Sequence, residues 1–141
     1  MTLFVDTSVW SLALRRDAGA SGPEVHALKD ALLGADVVVT TGLVLQELLQ
    51  GFTGQKAREQ IIERFAALPL LQPDREDHVA AAELRNTCRR AGIQVGTIDA
   101  VIAQLCIRHQ LVLVSTDKDF MFVAKHSALQ VLAPKSRTRK K

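Results

Sequence analysis

The chain has few of the residues and segments that are typical of zinc-binding, secreted or membrane proteins. It has only two cysteines, Cys88 and Cys106, and no pair of Cys or His residues has the spacing of a zinc site. Both cysteines fall on the apolar sides of predicted helices, so we expect two buried free thiols in a reducing cytoplasm. No apolar run approaches the roughly 20 residues that a membrane-spanning helix requires, so we expect no contact with a membrane.

The N-terminal segment also lacks the features of a secretory signal. It has no leading Lys or Arg, and its short apolar run ends at Asp6. An apolar content of 48% excludes a disordered chain, and 141 residues are enough for one domain with its own core. There is no internal repeat and no long linker. We therefore predict a single domain over residues 1–134.

The net charge of +3 is unevenly distributed along the chain. Five of the 18 basic residues lie in the last seven positions, which contain no acid, so residues 1–134 carry 13 basic and 15 acidic side chains. Residues 135–141 are predicted to be a basic, disordered tail. Such a tail either follows a phosphate backbone or serves only as a solubilising end.

Strand-like and helix-like segments alternate along the chain. Strands are predicted at 2–5, 37–39, 111–115 and 129–132, with a short extended piece between Pro69 and Pro73. Helices are predicted at 8–16, 23–33, 43–50, 55–67, 75–91 and 97–109, and a short one begins at Asp117. Thr40 and Thr41 are candidate caps for the third helix, and Ala81, Leu84, Cys88 and Ala91 recur at helical spacing in the fifth. The alternation predicts an α/β fold with a small parallel sheet and helices on both faces.

Four acids lie where such a fold would gather them into one crevice. Asp6 and Asp117 each end an apolar strand, and ligands bind beyond the carboxyl ends of parallel strands. Glu47 and Asp99 lie early in two predicted helices. Asp99 lies on the apolar face of its predicted helix. A carboxylate on a buried face needs a partner. The apolar residues of that face are Ile102, Ala103 and Cys106.

Each acid considered alone also has an ordinary structural explanation. Asp6 and Asp117 are good helix caps, and Asp119 is a first-turn acid that the helix dipole favours. Glu47 lies at the margin of an apolar helix face, where it could simply be solvated. Together, however, clustered carboxylates repel one another and require a positive charge. Mg²⁺ or Mn²⁺ is the natural candidate because both ions prefer oxygen ligands.

Four segments carry a resemblance to PIN-domain nucleases, and most of all to VapC-type toxins of toxin–antitoxin pairs. The opening Leu3-Phe4-Val5-Asp6-Thr7-Ser8-Val9-Trp10 resembles the first motif of the family, and Leu45-Gln46-Glu47-Leu48 its helix-borne glutamate. Thr97-Ile98-Asp99-Ala100-Val101-Ile102-Ala103 resembles the third motif, and Val114-Ser115-Thr116-Asp117-Lys118-Asp119-Phe120 the closing strand with the fourth acid.

The resemblance implies a metal-dependent endoribonuclease that uses Mg²⁺ or Mn²⁺ and is inhibited by a co-encoded antitoxin. Asp6, Glu47, Asp99 and Asp117 would be the catalytic metal ligands, and Asp119 would contribute to a second metal. Thr116, Thr7 or Ser8 would hydrogen-bond a carboxylate or the water on the metal. A homodimer is a further expectation. We also expect an antitoxin to place an Arg or Lys near the acids and to dock on Val9, Trp10 and Leu14, unless Trp10 belongs to the core.

Other functions fit the sequence less well. No histidine falls at a motif and neither cysteine has an adjacent base, which disfavours catalysis by a histidine pair or a cysteine. An aspartyl-nucleophile phosphatase would have two acids one residue apart after its first strand, whereas Asp6 is followed by Thr7 and Ser8. A catalytically inactive binding module remains an alternative, although all the acids are present. Four arginines either line an RNA path or are solvated: Arg15, Arg16, Arg89 and Arg90.

Overall fold

The computed structural model describes residues 1–15, 22–34 and 36–132. Arg16 and the predicted tail at 135–141 lie outside these residues, so the tail boundary stays a prediction. The described elements follow in the order β1 (Thr2–Val5), α1 (Thr7–Leu14), α2 (Pro23–Leu33), β2 (Val37–Thr41), α3 (Gly42–Gly51), α4 (Gln55–Ala66), β3 (Leu70–Leu71), α5 (Arg75–Arg90), α6 (Thr97–Arg108), β4 (Val112–Val114), α7 (Asp119–Lys125) and β5 (Gln130–Val131).

The strands of the described chain form one parallel sheet in the order β3-β2-β1-β4-β5. After β1 the chain adds β2 and then β3 on one side of the sheet. It then returns across the sheet and adds β4 on the other side of β1. This reversal is the switch point at which parallel sheets open a crevice. Val5 lies opposite Val114 in the register, and the Asp6 amide donates to the Val114 carbonyl at 2.9 Å. Residues that follow β1 and β4 therefore leave the sheet side by side.

Helices cover both faces of the sheet, as the sequence predicts. Parallel crossovers are right-handed, so the reversal at β1 places α1 to α4 on one face and α5 to α7 on the other. The contacts agree, because α1 touches α2 and α3, whereas α5 packs on α6. The strand β4 contacts both α2 and α6 and is thus enclosed between the two layers. Among the described helices, none is both long and apolar enough to cross a membrane.

The core contains the inner strands and the first helix. Phe4, Val5 and Leu113 are fully buried. Trp10 is 1% exposed and its ring lies 4.8 Å from that of Phe65, centroid to centroid. The core interpretation of Trp10 is therefore confirmed, and its use with Val9 as an exposed docking surface is wrong, because both side chains are buried.

The structure also corrects details of the helix ends. α1 ends at Leu14 rather than at residue 16, and α7 begins at Asp119 rather than at Asp117. Thr41, not Thr40, caps α3, because its hydroxyl accepts from the Val44 amide at 3.3 Å. Ala91 is exposed, because α5 ends one residue earlier. Both cysteines are free and buried, as predicted.

A candidate carboxylate site at the switch point

Asp6 is fixed by three hydrogen bonds that use both of its carboxylate oxygens. Oδ1 accepts from the Thr7 amide at 2.8 Å and caps α1, so the capping interpretation is correct. Oδ2 accepts from the Ser115 hydroxyl at 2.8 Å and from the Ser8 hydroxyl at 3.1 Å. Asp6 is 8% exposed. These uncharged donors fix the orientation of the carboxylate and leave its charge without a counter-ion.

Ser115 is a site residue that the sequence analysis missed. It links the two strand ends, because its hydroxyl donates to Asp6 and accepts from the Asp117 amide at 3.0 Å. The sequence shows only that Ser115 directly follows the apolar run of β4, whereas its place opposite Asp6 depends on the register of β1 with β4. Thr7 and Ser8 donate hydroxyl hydrogens to carboxylates, as expected, whereas Thr116 contributes its backbone amide, which donates to Ser8 Oγ at 3.2 Å.

Glu47 joins the site from the neighbouring helix. It lies on the exposed side of α3, and its Oε1 accepts from the Thr7 hydroxyl at 2.8 Å across 40 residues of sequence. The prediction that Glu47 could be solvated at the margin of an apolar face is thus correct, because its side chain is exposed. The bond to Thr7 nevertheless ties the carboxylate to the residue that follows Asp6. α3 thereby presents Glu47 at the same crevice.

Asp117 lies on the exposed turn after β4, and Asp119 is the first residue of α7. The Asp119 amide donates to Asp117 Oδ1 at 2.9 Å, which folds the turn back before α7 begins. This geometry fits the capping interpretation in part, although Asp117 precedes the helix by two residues. Both carboxylates are exposed to solvent.

The pKa of Asp99 indicates that five acids lie close together in one site. Burial raises the pKa of Asp99 to about 6, and the charges of Asp6, Asp117, Glu47 and Asp119 add to this effect in that order. Asp99 lies in the first turn of α6 and is half-buried. Burial, and then the charge of Asp6, also raise the pKa of Cys106, which lies about two turns further along the same face of α6. The structure therefore brings together the carboxylate cluster of Asp6, Glu47, Asp99, Asp117 and Asp119.

No member of the carboxylate cluster forms an ion pair with a protein cation among the described residues. The ion pairs found among the described residues join the N-terminus to Asp36 and Arg108 to Asp74 and Asp77. In the same ranges, no three His, Cys, Asp or Glu side chains are arranged to hold a metal ion by themselves. Mg²⁺ commonly keeps several waters and contacts only one or two carboxylates. The unpaired oxygen donors therefore fit an ion that is held partly through water.

The electrostatics of Asp99 predict a measurable dependence of stability on pH. Its folded pKa of about 6 exceeds the ordinary value of 3.8 for an Asp in water, so its contribution to stability is complete below about pH 4 and is lost as the pH rises through about 6. In a chelating buffer, Asp99→Asn should therefore unfold at a higher temperature than the unsubstituted protein at pH 7. We expect its free energy of unfolding to be higher by about 1 kcal/mol, because solvent screening reduces the effect of the pKa shift on stability.

Thermal unfolding from pH 4 to pH 8 measures this difference. Asp30→Asn is the matched control, because Asp30 is an exposed acid on α2, away from the cluster. The stabilities of the two variants should diverge progressively between about pH 4 and pH 6 and differ by a constant amount above that range. Parallel pH profiles for both variants would contradict the electrostatic coupling.

The comparisons with known proteins agree with this architecture. A family model described as "PIN domain" matches residues 3–126. The chain belongs to the PIN domain family. It is 31% identical over 130 residues to Ribonuclease VapC11 of Mycobacterium tuberculosis, and the match covers 91% of this chain and 96% of that protein. The resemblance to VapC-type PIN domains is thereby confirmed.

Solved structures of VapBC and VapC proteins share the fold over most of the chain. VapBC2 from Rickettsia felis, bound to a DNA fragment from its promoter, superposes with a TM-score of 0.71 at 18% identity and covers 94% of this chain and 98% of its own. VapC20 of Mycobacterium tuberculosis, a Sarcin-Ricin loop cleaving toxin, gives 0.64 at 19% identity and covers 84% and 92%. At these identities the likeness concerns the fold alone.

Proposed function

We propose that this PIN protein is an endoribonuclease that depends on Mg²⁺ or Mn²⁺. The observation that carries the proposal is the environment of Asp99, whose pKa is raised by its burial and by four further carboxylates at one strand-end crevice. Repulsion among carboxylates destabilises the folded protein unless a cation offsets their charges. Such a cluster therefore indicates that a cation binds there when the protein functions. The names of the relatives, ribonucleases of the VapC type, support RNA as the substrate.

Asp6, Glu47, Asp99 and Asp117 are proposed to hold the metal, with Asp119 contributing to a second ion. When bound, such ions make water a usable nucleophile near neutral pH and offset charge at the phosphate and at the leaving oxygen. The protein supplies the fixed geometry for this chemistry. Ser115 and Ser8 hold the Asp6 carboxylate, and Thr7 holds Glu47, so these groups need little reorganisation when the substrate arrives.

The rival functions have less support. In an aspartyl phosphatase a second acid would follow Asp6, but here the positions after it supply hydroxyls that already bond to carboxylates. A catalytically inactive module would have no need of five carboxylates that raise the pKa of one of their own members. Hydrolysis of RNA explains both the residue types and their repulsion.

We also propose that the protein is the toxin of a toxin–antitoxin pair and binds a protein antitoxin. The support is that the structurally similar VapBC2 is a complex of this type. An antitoxin Arg placed at the carboxylate cluster would supply the missing positive charge. Co-expression with a neighbouring short reading frame tests the pairing, and a homodimer stays a prediction that size measurements can check.

Metal dependence is the direct test of the nuclease proposal. We expect the purified protein to cleave single-stranded RNA with Mg²⁺ or Mn²⁺ and to lose essentially all cleavage in excess chelator, because no ion pair among the described residues neutralises a carboxylate of the cluster. Readdition of Mn²⁺ should restore the activity. Calorimetric titration with Mn²⁺ gives a second readout, and Asp6→Asn should weaken that binding. Equal cleavage with and without chelator would overturn the proposal.

A further inference from the structure

A pocket of about 420 Å³ opens beside the carboxylate cluster and has basic walls. Arg85, Arg89, Gln94, Gly96 and Asp119 line this arginine pocket. Asp119 belongs to the cluster, and Gly96 lies close to Asp99, another of its members. A Cβ built on Gly96 would lie 3.9 Å from Asp99 Oδ2. The arginine pocket and the cluster are therefore neighbouring parts of one surface.

The two arginines are held so that their charges remain available. They are four residues apart on α5 and so lie on the same face of the helix. Arg85 Nε donates to the Val95 carbonyl at 2.8 Å, which fixes this half-buried side chain against the segment before α6. Arg89 is exposed. Neither arginine is in an ion pair with a carboxylate among the described residues, although Asp119 lines the same pocket.

A polyanion that approaches five carboxylates needs a positive contact nearby. Arg is suited to this role, because its planar guanidinium donates two parallel hydrogen bonds to a phosphate and keeps its charge. The side-chain amide of Gln94 adds a further donor. α6 begins at Thr97, and its N-cap residue Gly96 provides no side-chain cap, so the first amides of the helix favour the same kind of ligand.

We propose that the arginine pocket binds a backbone phosphate of the RNA next to the scissile one, with Arg85 as the fixed donor and Arg89 as the adaptable one. This inference rests on the proposed ribonuclease function and identifies where the substrate strand runs. The strand passes from the metal-binding carboxylates toward the C-terminal end of α5. The pocket positions the substrate and does not touch the reacting bond, so its loss raises KM more than it lowers kcat.

The first test measures RNA binding in the Asp6→Asn background, in which cleavage is blocked. Arg89→Ala should weaken the binding of a short single-stranded RNA about tenfold, as expected for a lost hydrogen bond to a charged group. It should also reduce the slope of log K against log salt by about 0.7, the value for one phosphate on a single strand. Arg89→Gln, which keeps the stem of the side chain, should give the same reduction in slope.

Arg75→Ala is the matched control. Arg75 is an exposed arginine on the same helix, fourteen positions before Arg89, which places it about 20 Å away along the helix axis. It should leave both the affinity and the salt slope unchanged. If the Arg75 and Arg89 variants bind RNA equally well and with equal slopes, the proposal is wrong. The nuclease assignment would still stand if the unsubstituted protein cleaves RNA only with metal.

The second test locates the phosphate. A series of cleavable RNAs, each with one neutral methylphosphonate near the cleavage position, should include one member whose KM rises as much as it does with Arg89→Ala. Combining that RNA with the Arg89→Ala variant should cause no further loss, because both changes remove the same contact. Additive losses at every neutralised position would overturn the proposal. Absence of metal-dependent cleavage in all samples would instead contradict the proposed function.

Discussion

Replacing Asp6 with Asn is expected to reduce RNA cleavage about a thousandfold while leaving the fold intact, because metal-ion catalysis is worth several kcal/mol. Asn can still cap α1 by accepting from the Thr7 amide, since Asn and Asp are comparable N-caps. It cannot keep the negative charge. Its amide group also cannot accept the hydrogen bonds that Ser8 and Ser115 donate to Oδ2.

Rates of RNA cleavage and thermal unfolding, measured on the same preparations, separate catalysis from stability. Asp99→Asn should lose cleavage to a similar degree but should melt at a higher temperature in chelator at pH 7, because it removes the repelled charge. Asp30→Asn, an exposed change on α2, should alter neither quantity. A folded Asp6→Asn protein that cleaves within tenfold of the original would exclude Asp6 as a metal ligand.

Arg108→Ala is expected to cause the largest loss of stability among single substitutions of partly exposed residues outside the carboxylate cluster. Arg108 Nη1 lies 2.6 Å from Oδ2 of Asp77 and 3.2 Å from Oδ2 of Asp74, and so ties the end of α6 to the start of α5. Asp77 is 1% exposed, and its Oδ1 has no hydrogen-bond partner among the described residues. Without Arg108, this buried carboxylate retains only the Asp74 amide as a donor.

Removing one member of a buried pair typically costs about 3 to 5 kcal/mol, and we expect about 2 kcal/mol here because Arg108 is partly solvated. Urea unfolding measures the change. Arg90→Ala, which removes an exposed arginine that donates only to the Thr87 hydroxyl at 3.3 Å, should cost less than about 0.5 kcal/mol.

A second substitution separates the buried charge from lost packing. Adding Asp77→Asn to Arg108→Ala should recover part of the stability, because the orphaned charge is removed. An Arg108→Ala protein as stable as Arg90→Ala would show that water satisfies Asp77 without the arginine. Loss of the tie between α5 and α6 should also reach the site, since α6 carries Asp99 at its other end.

The sequence by itself determined the element order and the acids. Strands end at Asp6 and near Asp117, and helical periodicity puts Asp99 beside buried Ile102, Ala103 and Cys106. These features depend on residues close in sequence, where the periods of strand and helix translate directly into faces. The sequence also carried the caps, although it could not choose between Thr40 and Thr41.

Only the tertiary structure decided which hydrogen bonds fix the carboxylates of the site and how strongly their charges act on one another. The bond from Ser115 to Asp6 spans 109 residues, that from Thr7 to Glu47 spans 40, and the pair of Arg108 with Asp77 spans 31. Such contacts depend on strand order and helix packing, which local patterns do not specify. The same holds for the pKa of Asp99 and the burial of Trp10, because the surroundings of each come from distant parts of the chain.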